Sequence, residues 1–242
     1  MAFHQNYMVL KNWPRAALAV TLFFCLSYCQ TKLIICVPGK QNTQRLQSGF
    51  DALIGPKKTA VLGRIKDLDA LLPENPNAAI ISNRVLFNYI QGYTIALVGK
   101  KKMRDSEKYF IVTVSKEISM RPVSERKVGI VDFLIKDHLP RFTQDQFNRP
   151  IMLLKRVNKE DDLLTMLGME AVDEIIVSAS QYDDILSNTK LPLTIVATSR
   201  NPIGLAVCAA KEGEIDADLM RKLLKMPVPL LRELGIDSWE KP

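Results

Sequence analysis

The first fifty residues contain no aspartate or glutamate, and the 242-residue chain holds two histidines and four cysteines. Each shortage argues against a class of function. His4 and His138 are far apart in sequence with no cluster of ligand-type residues around either, so no metal site is expected. Catalysis lacks its usual parts: there is no evident Ser-His-Asp arrangement, and Cys36 and Cys208 lie in apolar runs without a nearby histidine. No glycine-rich phosphate loop of Walker type occurs either, and no cofactor is implied. These gaps favour binding over chemistry.

The acid-free opening has a second meaning. Lys11 and Arg15 precede an uncharged apolar stretch that runs on to Cys29. That stretch, about 14 residues, has the length of a secretory h-region and falls short of a membrane span. Residues 1–29 are therefore expected to be a signal peptide cut before Gln30. The alternatives are lipidation at Cys29, whose "LSYC" has the outline of a lipoprotein box, and an uncleaved anchor. Export implies a periplasmic location. It would leave only Cys36 and Cys208, each a small hydrophobe in an apolar run, with a single disulfide between them open in an oxidising compartment.

What is present is ordinary for a folded domain: 47% hydrophobic residues and a formal charge of +7. The charge does not point to nucleic acid. Its densest cluster, "GKKKMR" at 99–104, has no interleaved aromatics and reads as a solvated loop between strands.

Along the chain, "KLIICVPG", "TAVLGRI" and "AAIISN" are apolar runs separated by helix-spaced segments, the rhythm of a parallel sheet covered on both faces. "YTIALVGKKKMRDSEKYFIVTVSKE" then suggests two strands in a hairpin-like pair. "KVGIVDF", "IMLLKRV" and "VDEIIVSAS" alternate with helical segments as a second α/β unit, after which "GLAVCAAKEG" and a helical tail return to the first. The expected fold is α/β and two-lobed, with lobe 1 at 30–114 and 200–242 and lobe 2 at 115–199. Two crossing strands form its hinge, and a cleft lies where strand ends face each other.

"KVGIVDF", "VDEIIVSASQYDDI" and "LPLTIVATSRNPIGLAVCAAKEGEIDADLMRKLLKM" resemble the second half of type II periplasmic solute-binding proteins, specifically the phosphate, phosphite and phosphonate-binding family of ABC transporters. The resemblance implies a small polar, anionic ligand and an ABC permease or sensor as partner, with membrane contact only through that partner or a lipid anchor. It departs in two places, one of them a first lobe that is short. Where the family carries a loop of Ser, Thr and Gly, this chain has Phe133, Leu134 and Ile135. That substitution motivates an alternative, a relative that has lost its ligand and acts as a protein-interaction module. An enzyme on the same scaffold is a further, weaker alternative.

Each candidate site residue carries two readings. Ser82 and Asn83 end the third strand of lobe 1, where they either donate to a ligand or cap the next helix. Ser178 and Ser180 occupy the matching strand end of lobe 2 with the same choice. Asp132 accepts from a ligand or caps a helix, and Tyr182 offers a phenol or packs on the sheet. Lys40 neutralises an anion or belongs to a Pro-Gly turn. Arg200 clamps an anion or is an exposed hinge arginine. Convergence of Ser82, Ser178, Ser180 and Arg200 on one cleft would favour binding, and an apolar or filled cleft would favour the interaction module.

Overall fold

The computed structural model describes residues 32–40, 43–114, 122–134, 136–149, 151, 153–211 and 215–242. The leader, the cut at Gln30, lipidation at Cys29 and the side chain of Ile135 lie outside the described residues.

The first sheet is built as the apolar runs require. Strand β1 (Leu33–Cys36) is followed by helix α1 (Thr43–Ile54), β2 (Thr59–Leu62), α2 (Ile65–Leu71), β3 (Ala79–Asn83), a 3-10 turn (Arg84–Asn88) and β4 (Tyr93–Lys100). β1 pairs in parallel with both β2 and β3. All four residues of β1 are buried, and their alternation assigns them to two faces. Leu33 and Ile35 pack with Leu46, Phe50 and Ile54 of α1, while Ile34 and Cys36 pack with Ile65 and Leu68 of α2. The α1 residues recur every fourth position, which places them on one helical stripe.

The chain then crosses. β5 (Ser106–Glu107) leads to β6 (Tyr109–Thr113), β7 (Lys127–Val131), α3 (Leu139–Phe147), β8 (Leu153–Val157), α4 (Glu160–Gly168), β9 (Glu174–Ser178), α5 (Ala179–Asn188) and β10 (Thr194–Thr198). It returns through β11 (Ile203–Gly204) to β12 (Ala206–Lys211), α6 (Ala217–Leu224), α7 (Val228–Glu233) and β13 (Ser238–Glu240). The sheet orders are β13-β4-β12-β3-β1-β2 and β10-β6-β9-β7-β8. From β2 to β4 and from β8 to β10 the same pattern repeats: second strand, first, third, a strand arriving from the crossing, fourth. In both sheets the arriving strand, β12 or β6, is antiparallel to its neighbours. The two crossing strands pair with each other, Ile203 opposite Glu107 and Gly204 opposite Ser106.

Several expectations need correction. β4 and β6 belong to different sheets and do not form a hairpin. The basic stretch between them is a tight turn closed by backbone bonds between Lys101 and Arg104, with positive φ at Lys102 (49°) and Met103 (65°). Tyr109–Thr113, assigned by sequence to the first lobe, hydrogen-bonds into the second sheet. The segment after β3 winds as a 3-10 turn. Cys36 and Cys208 are both free and buried. They belong to clusters on opposite faces of one sheet, so no disulfide joins them. Burial pushes each thiol up to about 12, far from the reactive range.

One apolar cluster spans both lobes. Ile34, Ile80 and Leu86 share it with Tyr109, Ile130, Phe133 and Phe142. Phe133 packs edge-on against Phe142 at 5.1 Å and tilts against Tyr109 at 6.1 Å. Tyr89 of lobe 1 stacks on His138 of lobe 2 at 4.3 Å. Among the described residues, no helix is long and apolar enough to cross a membrane.

Candidate functional site

The carboxyl ends of the parallel strands in both sheets point at one another, the position where open α/β sheets bind ligands. A cavity of about 230 Å³ lies between them. Its wall takes Cys36, Val37, Pro38, Lys40 and Ser82–Asn83 from lobe 1, Tyr109, Val131, Phe133, Ser178 and Ser180–Gln181 from lobe 2, and Glu107 from the crossing segment. Charge is unevenly divided around it. Lobe 1 and the turn after β4 contribute Lys40, Lys101, Arg232 and Glu233; lobe 2 contributes Glu160 and Asp184, with Glu107 alongside.

The hydrogen bonds show which of these residues cap. Ser178 is the N-cap of α5: its Oγ accepts from the Gln181 backbone N–H at 3.2 Å, and the Gln181 side chain accepts from the Ser178 N–H at 2.8 Å. This reciprocal capping box satisfies two donors that a helix start would leave unpaired. Gln181 also donates to Glu160 at 2.8 Å. Asn83 is the lobe 1 counterpart. Its side-chain oxygen accepts from Val85 N–H at 3.0 Å and its amide donates to the Tyr109 hydroxyl at 3.2 Å, joining the lobes. Ser82, almost fully buried, donates to the Cys36 carbonyl at 2.8 Å and so ties β3 to the end of β1.

Ser180 is held differently. Its backbone N–H and its hydroxyl both donate to one carboxylate oxygen of Glu107, at 2.9 and 2.6 Å, and Lys101 donates to its Oγ at 2.8 Å. Glu107 and Lys101 were missed by sequence reading. They stand 73 and 79 residues from Ser180, and only the crossing brings them to it. Tyr109 was missed too. Its burial, with the charges of Glu107 and Glu160 nearby, raises its phenol well above the ordinary range. It is an uncharged hydroxyl at any physiological pH.

Three expected residues are elsewhere. Asp132 is held by a two-point pair with Arg156 on the adjacent strand β8, through Nε at 2.9 Å and a second contact from Nη2. It neither caps a helix nor lines the cavity. Tyr182 packs edge-on against Phe110, ring centres 5.5 Å apart, on the far side of the second sheet with Leu163 and Ile175. Arg200 is exposed and precedes the crossing; its backbone N–H donates to Gln146 and its carbonyl accepts from Lys108. Lys40 does line the cavity. The tested convergence is thus partial: Ser82, Ser178 and Ser180 meet there and Arg200 does not.

The lobes touch at a backbone contact beside the cavity. Gly39, φ +92°, forms a parallel bridge with Lys159, and its carbonyl accepts from Glu160 N–H at 3.4 Å. A Cβ there would lie 3.0 Å from Glu160 Cγ and 3.1 Å from a Val131 methyl, and positive φ itself favours glycine. Among the described residues no group of three or more His, Cys, Asp or Glu is arranged to hold a metal ion.

Two sheets of this order, joined by a pair of crossing strands around a cleft, define the two-lobed type II periplasmic-binding-protein-like fold. Solved structures agree. The Xanthomonas citri protein XAC2383, solved with ATP bound, matches with a TM-score of 0.62 at 12% identity, over 87% of this chain and 90% of that one. A binding-protein component of an ABC phosphonate transporter from Pseudomonas aeruginosa, PA3383, matches at 0.59 and 8% identity, over 88% and 82%. A double mutant of the VFT2 domain of Bordetella pertussis BvgS matches at 0.50 and 12%, over 90% and 95%. No protein-family description matches the chain, and no curated protein matches its sequence.

Proposed function

We propose that this chain is an exported solute-binding protein. It holds a small polar solute between its lobes and presents the ligand-bound form to an ABC permease or a sensor. The observation that carries this reading is the convergence of both sheets' strand ends, with their polar side chains, on a single interlobe cavity. A solute that contacts both lobes at once stabilises the arrangement in which they meet, so binding shifts the population toward it. Export rests on the basic and apolar character of residues 11–29. The sequence resemblance suggests a phosphate- or phosphonate-like anion, which Lys40 and Arg232 in the cavity wall would attract and Glu107, Glu160 and Asp184 in the same wall would oppose.

Thermal shift of the chain from Gln30 onward, against phosphate, phosphonates, sulfate, amino acids, amines and sugars, tests the proposal. A true ligand at a hundred times its Kd adds roughly 2.7 kcal/mol and raises Tm by a few degrees. No shift with any compound would favour the interaction-module reading. One observation supports that second reading: Phe133 and Leu134, at the loop where hydroxyls were expected, are buried in the apolar cluster that spans the lobes.

A further inference from the structure

We infer that Glu107 is a built-in anion seated at the amino end of α5, and that it turns the cleft away from oxyanions toward neutral or cationic polar solutes. The inference rests on the solute-binding reading and decides the charge of the solute. The first turn of a helix offers unpaired N–H groups and a positive dipole end, which together attract negative charge. In α5 those donors are already committed. Ala179 N–H donates to the Lys108 carbonyl at 2.8 Å, Gln181 N–H to Ser178, and Ser180 N–H to Glu107. The Ser180 hydroxyl, the natural partner for an incoming oxyanion, donates its proton to the same Glu107 oxygen at 2.6 Å and receives Lys101 on its lone pair.

An oxyanion approaching the start of α5 meets the Glu107 carboxylate in place of the helix donors, with the Lys101 cation on Ser180 beside it. To bind it must displace a charge-assisted contact and endure repulsion from Glu107, with Glu160 and Asp184 on the same side of the cavity. A solute bringing N–H or O–H donors meets acceptors on that side. Glu107 lies on the crossing strand, opposite Ile203, so its backbone is fixed by a ladder and not by a loose loop.

The test uses inorganic phosphate and methylphosphonate as probes, on the chain from Gln30 onward, with Tm and calorimetric titration as readouts. The native protein is expected to show no dose-dependent shift with either anion. E107A, confirmed folded by circular dichroism, is expected to gain phosphate affinity by about tenfold or more, the ratio that one charge-assisted hydrogen bond supports. Adding S180A to E107A should remove the gain. If E107A does not fold, E107Q, close in shape and uncharged, serves instead, with a smaller gain expected because its amide oxygen still competes for Ser180. Dose-dependent binding of phosphate or methylphosphonate by the native protein would overturn the inference, whether or not S180A abolishes it. So would the absence of any anion gain in the folded Glu107 variants. Failure of the solute-binding reading shows separately, as no shift of the native protein by any compound class, because the phosphate gain does not depend on which solute is natural.

Discussion

The two lobes repeat one strand order but use different means to hold it. The first sheet is tied by apolar packing on both faces, with Leu33, Ile34, Ile35 and Cys36 of its central strand fully buried. The second sheet buries charge. Glu174, fully enclosed at the start of β9, is paired with Arg126 at 2.8 Å and also with Arg149. The strand ends differ as well. Asn83 caps a five-residue 3-10 turn, whereas Ser178 caps a ten-residue helix through a capping box. The pseudo-repeat therefore fixes where side chains emerge at the cleft, while the local chemistry of each strand end decides how many donors are left for a ligand.

Breaking the buried charge should separate the lobes most clearly. E174A leaves two arginines without their shared carboxylate and is expected to cost about 4 kcal/mol in urea unfolding. A loss under about 1 kcal/mol would show that the second lobe does not depend on the cluster. F133A strikes the apolar seam shared by the lobes and should cost about 3 kcal/mol, as deletion of a buried ring does. Ligand affinity, if Phe133 only packs, should change less than stability does; titration of the variant with any ligand found in the screen reads this directly.

The caps come next. S178A should cost about 1 kcal/mol for its lost cap, and N83A about 2 kcal/mol because it also takes the Asn83 amide away from the buried Tyr109 hydroxyl, measured as paired thermal melts. Equal losses would undo the contrast between the strand ends. The smallest effect is expected at D132A. Its pair with Arg156 is partly exposed, so a loss of about 0.5 kcal/mol and unchanged ligand affinity are expected. A tenfold fall in affinity in that variant would return Asp132 to the site.

The architecture was legible in the sequence because buried parallel strands read as continuous apolar runs, and "LIIC", "AIISN", "KVGIV" and "EIIVS" do so. Residues at the ends of third strands were legible for the same reason: whatever follows such a run sits at the cleft edge. Ser82, Asn83 and Ser178 sit in the cavity wall for this reason. Partners set by tertiary geometry were not. Asp132 meets Arg156 only because β8 lies beside β7, and local sequence offered ligand or cap when the answer was a cross-strand pair. Lys101 was read as part of a solvated loop because nothing near it in sequence announces Ser180. The return crossing pairs at Ile203–Gly204, a two-residue strand too short to stand out in sequence from residues 200–202 before it.

Gly39 gives the molecule a mechanical property of its own. Its carbonyl and the amide of Glu160 bring the main chains of the lobes together, and a methyl group there would press on the Glu160 and Val131 side chains, which would have to give by a few tenths of an ångström. A side chain at this position would act as a doorstop, pressing on two residues of the second lobe at the point where the lobes meet. Bulk at one backbone position would thus bear on the fit between the lobes through Glu160 and Val131, both of which also line the cavity.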